Sequence, residues 1–164
     1  MLIKLKEKNT LNVGEFTFKC CIGKKGSTKY KKEGDNKTPI GTFKIENLYF
    51  RKDRLKKPLT SLKCIEIKKN MGWCDDVHYP KKYNKLIKIK KKIRHEKLLR
   101  KDHKYDFLIP IKYNYEKPIT GLGSCIFIHL TKDFKPTDGC VALKKKDFLI
   151  LLKLIKKNSK IKIY

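Results

Sequence analysis

The stretch IHLTKDFKPTDGCVAL, residues 128 to 143, places a histidine and a cysteine on either side of a ten-residue loop. A thiol attacks a carbonyl carbon as its thiolate, and a neighbouring imidazole can accept the thiol proton near neutral pH. His129 ends an apolar run, and Cys140 follows Gly139, whose missing side chain lets a carbonyl group approach the backbone amides of an oxyanion hole. The spacing therefore predicts nucleophilic catalysis by Cys140 with His129 as the base.

The same residue types allow two other interpretations. Cys140 and His129 could be a buried thiol and a core histidine, and Cys125 is a second thiol predicted on the strand face of His129. Trapping with an electrophile distinguishes the two thiols. A zinc site can also be assembled, without any CxxC or HExxH pair, from Cys74, His78, Cys125, His129 and Cys140. Metal analysis tests that site.

Strands are predicted to position these side chains. Alternating or β-branched residues favour strands at 15–22, 38–50, 62–68, 124–130 and 160–164. In the fourth of these, Cys125, Phe127 and His129 share one face. Residues 21–39 contain three glycines and Pro39 and are predicted to form a long turn or hairpin loop, with Thr38 in the turn that leads into the next strand.

Two stretches are predicted to be helical. Residues 88–100 are one candidate, and residues 146–157 place apolar side chains at helical spacing, namely Phe148, Leu151, Leu152 and Ile155. Asp147 in the first turn, with Lys156 and Lys157 in the last, matches the helix dipole. We therefore expect one domain, residues 1–164, of the α+β class: mainly β with a C-terminal helix.

The charge is extreme, with 43 Lys and Arg against 16 Asp and Glu and a formal net charge of +27. Such a charge favours polyanions, and a nucleic-acid-binding protein is the alternative of a different class. Only four of the cations are Arg, the side chain that reads phosphates and base edges best, and the Lys residues are spread over the whole chain. This distribution favours a compositional bias over a dedicated nucleic-acid site. Binding that falls steeply with salt would support the alternative.

Several segments together resemble the YkuD-type L,D-transpeptidases. The segment GSCIFIHLTKDFKPTDGCVAL, residues 123–143, is similar to the active-site motif of that family, in which a histidine precedes Ser/Thr-x-Gly-Cys. KKEGDNKTPIGTF, residues 31–43, is similar to its Gly-Asp-x-x-Thr-Pro-x-Gly-x-Phe strand. GWCDD and RHEKLLRKDHKYDFLI, at 72–76 and 94–109, are similar to segments of a short proteobacterial branch. The resemblance covers most of residues 12–163 and implies a YkuD-like β-sandwich of mixed sheets.

The resemblance assigns roles by position. Cys140 is the nucleophile, His129 the base, Gly139 a catalytic neighbour, and the Leu130 carbonyl orients the imidazole. The substrate-binding positions that it implies are Thr137, Asp138, Ala142, Asp35, Trp73, His95 and Tyr105. Glu33 and Asp35 could meet a cationic amine of diaminopimelate. No metal or organic cofactor is implied.

The chain departs from the common family pattern at three places. Asp138 stands where most members have His, Ala142 stands where they have Arg or Asn, and the loop between His129 and Cys140 is shorter. The resulting TDGCVA resembles a branch that crosslinks L-Ala at the first stem position to diaminopimelate at the third.

The resemblance implies that Cys140 attacks a peptide carbonyl after an L-centre and leaves a thioester, which an acceptor amine resolves. With water instead of the amine, the protein would be an L,D-carboxypeptidase or endopeptidase acting on muropeptides. Peptidoglycan stem peptides as substrates imply the periplasm. No signal peptide or membrane span is recognisable in the sequence, so unconventional export, a different start site or cytoplasmic muropeptides are alternatives. The oligomeric state is left open.

Overall fold

The computed structural model describes residues 1–7, 9–90 and 92–164. Within these ranges the chain forms fifteen strands and one helix. The first eight strands are β1 (Leu2–Lys6), β2 (Thr10–Val13), β3 (Phe16–Cys21), β4 (Ser27–Thr28), β5 (Thr38–Pro39), β6 (Gly41–Lys44), β7 (Leu48–Phe50) and β8 (Cys64–Glu66). The remaining elements are β9 (Met71–Cys74), β10 (Leu86–Lys88), β11 (His95–Lys97), β12 (Phe107–Pro110), β13 (Phe127–Leu130), β14 (Val141–Leu143), α1 (Lys145–Leu154) and β15 (Lys160–Ile163).

Ten of the described strands form one curled, mixed sheet. Their order is β6-β15-β1-β2-β3-β14-β13-β12-β7-β8, and three pairs in it are parallel, namely β1 with β15, β13 with β14, and β7 with β8. A three-stranded sheet is centred on β9, and the short parallel pair β4 and β5 lies inside the loop of residues 21–39. The predicted mainly β architecture with a C-terminal helix, and its likeness to a YkuD-like β-sandwich, is confirmed.

Strand β13 separates two apolar clusters by the alternation of its side chains. Ile128 packs in a large cluster that includes the buried face of α1, whereas Phe127 packs in a second cluster with Trp73 and Tyr105. The His129 ring packs beside the Tyr105 ring, and His129 lies on the same face of β13 as Phe127. The second cluster is therefore the floor under the histidine.

The predicted helix at 146–157 is confirmed, with different ends. It runs from Lys145 to Leu154 and buries Phe148, Leu151 and Leu152, as the spacing predicts. Ile155, although buried, already has extended backbone, so Lys156 and Lys157 lie beyond the helix rather than in its last turn. Phe148 stacks on Phe107 with ring centroids 5.7 Å apart, which fixes α1 against the main sheet.

The predicted helix at 88–100 is wrong. Apart from Lys91, which lies outside the described residues, the segment contains the end of β10, a turn and β11. Both strands pair antiparallel with β9, so the backbone hydrogen bonds of this segment are made across the sheet. The run Ile87-Lys88-Ile89-Lys90 alternates with a period of two, and its pairing with β9 outweighs the helix propensity of its lysines.

The predicted strand at 124–130 is shorter than expected. It begins at Phe127, and Cys125 has a left-handed backbone with φ +55°. Such a conformation is uncommon for a side chain other than glycine and turns the chain away from a strand. Cys125 therefore does not continue the strand face of Phe127 and His129, as the sequence pattern predicted.

Candidate active site

Adjacent parallel strands bring His129 and Cys140 to one cleft. His129 lies in β13 opposite Ala142 of β14, and Cys140 immediately precedes β14. Both residues line a cleft with a volume of about 830 Å³. The β13–loop–β14 connection thus returns the chain beside itself, and in this register Cys140 comes opposite Phe127, two positions before His129.

The Cys140 thiol is held by the backbone of β13 and of the residues before it. Its Sγ donates to the Cys125 carbonyl at 3.1 Å and accepts from the Phe127 N–H at 3.4 Å. Burial raises the pKa of the thiol to about 12, and the hydrogen bond from Phe127 opposes this shift. The resting side chain is therefore a neutral thiol at physiological pH.

The imidazole of His129 has a defined tautomer. Its Nδ1 lies 2.9 Å from the Leu130 carbonyl, an acceptor, so Nδ1 carries the proton and Nε2 is the basic nitrogen. Tyr105 packs edge-on against the ring at 5.4 Å between centroids. Burial lowers the pKa of His129 to about 4, although the bond to Leu130 opposes this shift. The arrangement provides a neutral base whose orientation is fixed by backbone.

Hydrogen bonds from Thr137 shape the turn that leads to Cys140. The Thr137 hydroxyl donates to the Cys140 carbonyl at 2.6 Å and accepts from the Gly139 N–H at 3.2 Å. The Thr137 backbone N–H donates to the Ile22 carbonyl at 2.9 Å. The turn is thereby attached to the chain just after β3.

A second threonine holds the same turn from the opposite side. Thr38 is fully buried, and its hydroxyl donates to the Gly139 carbonyl at 2.9 Å and accepts from the Gly23 N–H at 2.9 Å. Gly139 has φ +147°, and a Cβ placed there would lie 2.9 Å from the Lys37 carbonyl oxygen. Only glycine fits this turn without displacing the backbone.

Another part of the cleft lining carries charge. Its residues Glu33, Asp75, Glu96 and Arg100, which we call the charged wall, all line the cleft. Arg100 pairs with Glu96 at 2.8 Å and with Asp102 at 2.7 Å, and its guanidinium lies over the Tyr105 ring. Asp75 pairs with Arg94 at 3.2 Å. Ionic groups therefore surround the apolar floor in this part of the lining.

The cleft brings together most of the residues singled out from the sequence. Eight of the predicted site residues line it, namely Cys140, His129, Gly139, Leu130, Thr137, Asp138, Ala142 and Tyr105. Asp138 is exposed and pairs with Lys24 at 2.8 Å, whereas Ala142 is completely buried between β3 and β13. Three predicted substrate-binding residues, Asp35, Trp73 and His95, do not line the cleft.

Packing explains why two aromatic candidates lie elsewhere. Trp73 is 1% exposed within the second cluster, and its Nε1 donates to Asn84. His95 packs its ring against Gly72, and its Nδ1 lies 2.6 Å from the Ile93 carbonyl. Both side chains belong to the three-stranded sheet that supports the cleft floor.

Asp35 is occupied by a different partner. Its carboxylate accepts from the buried Lys31 ammonium at 2.6 Å and from the backbone amides of Lys32 and Lys37. Burial alone would raise the pKa of Asp35, but these hydrogen bonds lower it below its ordinary value. Asp35 thus fixes the shape of the loop that precedes β5.

Sequence reasoning missed several residues that organise the site. The turn-building role assigned to Thr38 did not include its bond to Gly139, and nothing pointed to Ser124 or to the buried Lys31. The Thr-Pro pair beside a glycine-rich loop was the signal available for Thr38.

Across residues 1–7, 9–90 and 92–164, no three His, Cys, Asp or Glu side chains are grouped as metal ligands would be, and the six cysteines are free thiols. The same ranges contain no helix with the length and apolar content of a membrane span.

Comparison with known proteins gives a family assignment. The profile of the YkuD family, described as an L,D-transpeptidase catalytic domain, matches residues 2–163. Neither a curated protein nor a solved structure matches the chain significantly. The family match supports an L,D-transpeptidase-type enzyme with peptidoglycan-derived substrates. Since the match spans nearly the whole sequence, the chain belongs to the YkuD family of L,D-transpeptidase catalytic domains.

Proposed function

We propose that residues 1–164 form one peptidoglycan L,D-transpeptidase unit that transfers an acyl group through a thioester on Cys140. The observation that carries this proposal is the fixed tautomer of His129: with Nδ1 bonded to the Leu130 carbonyl, the basic Nε2 remains for the thiol in the same cleft. The family match supports the reaction class.

The proposed first half-reaction breaks one peptide bond. The Cys140 proton moves to His129 Nε2 while Sγ attacks the carbonyl carbon that follows an L-centre. The Gly139 N–H already donates to Thr137, so we assign the developing oxyanion to the N–H of Cys140 itself. Collapse of the tetrahedral intermediate expels the amine, which takes the proton from the imidazolium, and leaves the thioester.

The second half-reaction reverses these roles. An acceptor amine attacks the thioester carbon and gives its proton to His129 Nε2, and Sγ departs and recovers that proton. Because both residues are buried and neutral at rest, the charged pair forms only while substrate occupies the cleft. Water in place of the amine would give hydrolysis at the same site.

We further propose a crosslink from L-Ala at the first stem position to diaminopimelate at the third. Its support is Ala142, which is fully buried and offers no hydrogen-bonding side chain where most of the family is expected to have Arg or Asn. We assign Thr137 to shaping the nucleophile turn, and Asp138 and Tyr105 to the substrate-facing surface of the cleft. Such a crosslink places the enzyme in the periplasm, where the polymer is assembled.

The test is intact-mass and product analysis with disaccharide-tetrapeptide muropeptides. We expect an acyl adduct on the wild-type protein and a crosslinked dimer, with fragmentation giving a bond from the first to the third position. Cys140→Ala should remove both products, and the control Cys125→Ala should keep both. A hydrolysed monomer in place of the crosslinked dimer would indicate a peptidase rather than a transferase.

Two results would overturn the proposal. One is an adduct that maps to Cys125, which would move the nucleophile. The other is the absence of any adduct together with strongly salt-dependent binding to nucleic acid, which would favour a polyanion-binding protein.

A further inference from the structure

Among the described residues, two carboxylates that line the cleft form no ion pair, and only one of them is half-buried. Five carboxylates line the cleft, and three of them, Asp75, Glu96 and Asp138, form ion pairs. Asp133 is exposed to solvent, whereas Glu33 is half-buried. Among the described residues no Lys, Arg or His lies within ion-pair distance of Glu33, although the chain holds 43 Lys and Arg against 16 acids. An unpaired, partly desolvated charge in such a basic protein requires an explanation.

Neutral donors fix Glu33 without compensating its charge. Its Oε2 accepts from the Ser124 hydroxyl at 2.7 Å and from the Tyr83 hydroxyl in a short hydrogen bond. Its own backbone N–H donates to the Gly121 carbonyl at 2.8 Å. Both side-chain bonds end on one oxygen, so Oε1 keeps its lone pairs for another donor. The carboxylate is therefore oriented in advance for a ligand.

The position of Glu33 relates it to the nucleophile. Ser124, which holds the carboxylate, is followed by Cys125, whose carbonyl accepts the Cys140 thiol proton. The nearby cations are engaged elsewhere: Lys31 donates to Asp35 and to the Lys32 carbonyl, and Arg94 binds Asp75. A cation that enters the cleft beside the thiol would thus meet Glu33 as a free partner.

We propose that Glu33 is a specificity-determining residue of this cleft whose carboxylate binds a primary ammonium group of the substrate. The inference rests on the proposed function and extends it from the reaction to substrate choice. A carboxylate–ammonium hydrogen bond in a partly desolvated cleft is strong enough to discriminate an amine from its uncharged amide. The ammonium belongs either to the acyl donor or to the acceptor, and both have the same chemistry.

The binding experiment uses proteins that cannot react. In a Cys140→Ala background, calorimetry measures the affinity for a disaccharide-tetrapeptide with a free diaminopimelate amine and for the same molecule N-acetylated at that amine. Glu33→Gln keeps an oxygen that accepts from Ser124 and Tyr83 but removes the charge. We expect it to weaken binding of the free amine at least about tenfold and of the acetylated form less than about twofold.

Controls separate the charge of Glu33 from the fold. Asp133→Asn removes an exposed carboxylate from the same cleft and should leave both affinities unchanged, and thermal unfolding should show that Glu33→Gln is folded. Equal losses for both peptides would mean that Glu33 only supports the loop. Unchanged affinity for the free amine would also overturn the proposal.

Two rate measurements identify whether the acyl donor or the acceptor supplies the ammonium group. If the donor supplies it, Glu33→Gln slows acyl-enzyme formation; if the acceptor supplies it, the variant slows only the resolution of a preformed thioester. The two proposals fail separately. If Glu33 discriminates between the two peptides but no thioester forms, the proposed transferase is overturned and the ammonium site is kept. If Glu33→Gln binds both peptides like the wild type and still forms the thioester, the ammonium site is overturned and the transferase is kept.

Discussion

Two parts of the cleft lining are held by different forces. Neutral hydrogen bonds from the buried Thr38 and the half-buried Thr137 fix the turn of Gly139 and Cys140, and we call this turn together with His129 the neutral wall. On the charged wall, defined above, ion pairs hold half-exposed side chains. Burial makes neutral hydrogen bonds rigid and controls where protons reside, whereas charges are tolerated where water still reaches them. The cleft thus separates buried neutral groups from charges that solvent reaches.

The pKa shifts follow the same division between buried neutral groups and solvated charges. Burial moves His129 and Cys140 toward their uncharged forms. Beside the charged wall, hydrogen bonds from Arg100 lower the pKa of Asp102 to about 2, although burial opposes this shift. Acidification is therefore expected to reach the imidazole before it reaches this ion pair.

The largest expected effect comes from removing His129, the proposed base. Gln at position 129 can still donate to the Leu130 carbonyl but cannot accept the thiol proton, so His129→Gln should slow acyl-enzyme formation about 10²- to 10⁴-fold. Stopped reactions analysed by intact mass give this rate. The control His95→Gln changes a histidine outside the cleft and should react at nearly the wild-type rate. A fast His129→Gln enzyme would show that another group takes the proton.

The buried imidazole should also make stability depend on pH. Its folded pKa of about 4 lies below the value near 6.5 of an unfolded histidine, so the unfolded chain binds an extra proton between these limits. Stability is then fully present above about pH 6.5 and falls as the pH decreases through the folded pKa. Relative to His129→Gln, the wild type should lose about 2 kcal/mol of unfolding free energy between about pH 7.5 and about pH 4.5.

Urea unfolding of both proteins across that range measures the difference. Carboxylates titrate in both chains and cancel in the comparison. If the two curves stay parallel, His129 is not buried as a neutral base.

Gly139 tests the geometry of the neutral wall. Gly139→Ala adds a Cβ 2.9 Å from the Lys37 carbonyl oxygen at a φ of +147°, so the turn must move or lose its conformation. We expect a loss of about 2–3 kcal/mol in unfolding free energy and a strongly reduced acylation rate. Gly14→Ala is the control, because Gly14 also has positive φ, in the milder left-handed region at +56°, and has open space around it. Equal destabilisation of the two variants would mean that backbone strain, and not the contact with Lys37, decides the choice of glycine.

The local patterns in the sequence predicted the neutral wall well. The histidine, the cysteine and the intervening turn lie within sixteen residues, and strand alternation places Phe127 and His129 on one face. The C-terminal helix was predictable because its apolar spacing has a single interpretation. Such features depend on neighbours in the sequence.

The three-stranded sheet that supports the cleft floor depends on pairing between separate strands and was less predictable. The Lys- and Ile-rich segment near residue 90 fits a helix or a strand, and only its pairing with β9 decides. The same sheet buries Trp73 and His95 away from the cleft. The sequence offers Asp35 to an amine, because it carries no signal that its partner, Lys31, is buried. The sequence shows the charge of each side chain, but it does not show which side chains form ion pairs with each other.

Thr38 should show how much one buried hydroxyl stabilises the neutral wall. Thr38→Val keeps the shape of the side chain but leaves the Gly23 N–H and the Gly139 carbonyl without their buried partner. We expect a loss of about 2 kcal/mol in unfolding free energy, measured in urea. Thr28→Val removes an exposed bond to the Tyr30 N–H and should cost much less. Similar losses would indicate that Gly139 is held by other contacts.

The smallest expected effect concerns the surface pair at the edge of the neutral wall. Asp138 and Lys24 have side chains that are 79% and 59% exposed, so Asp138→Asn should change the unfolding free energy by less than about 0.5 kcal/mol. Asp102→Asn, which removes the charge and one of the two hydrogen bonds that Asp102 accepts from Arg100, should cost about 1 kcal/mol after allowance for solvent screening. Urea unfolding at low and high salt measures both variants. If Asp138→Asn were the costlier change and its cost disappeared in salt, the turn before Cys140 would be held by its surface charge rather than by Thr38 and Thr137, and the distinction between the two walls would fail.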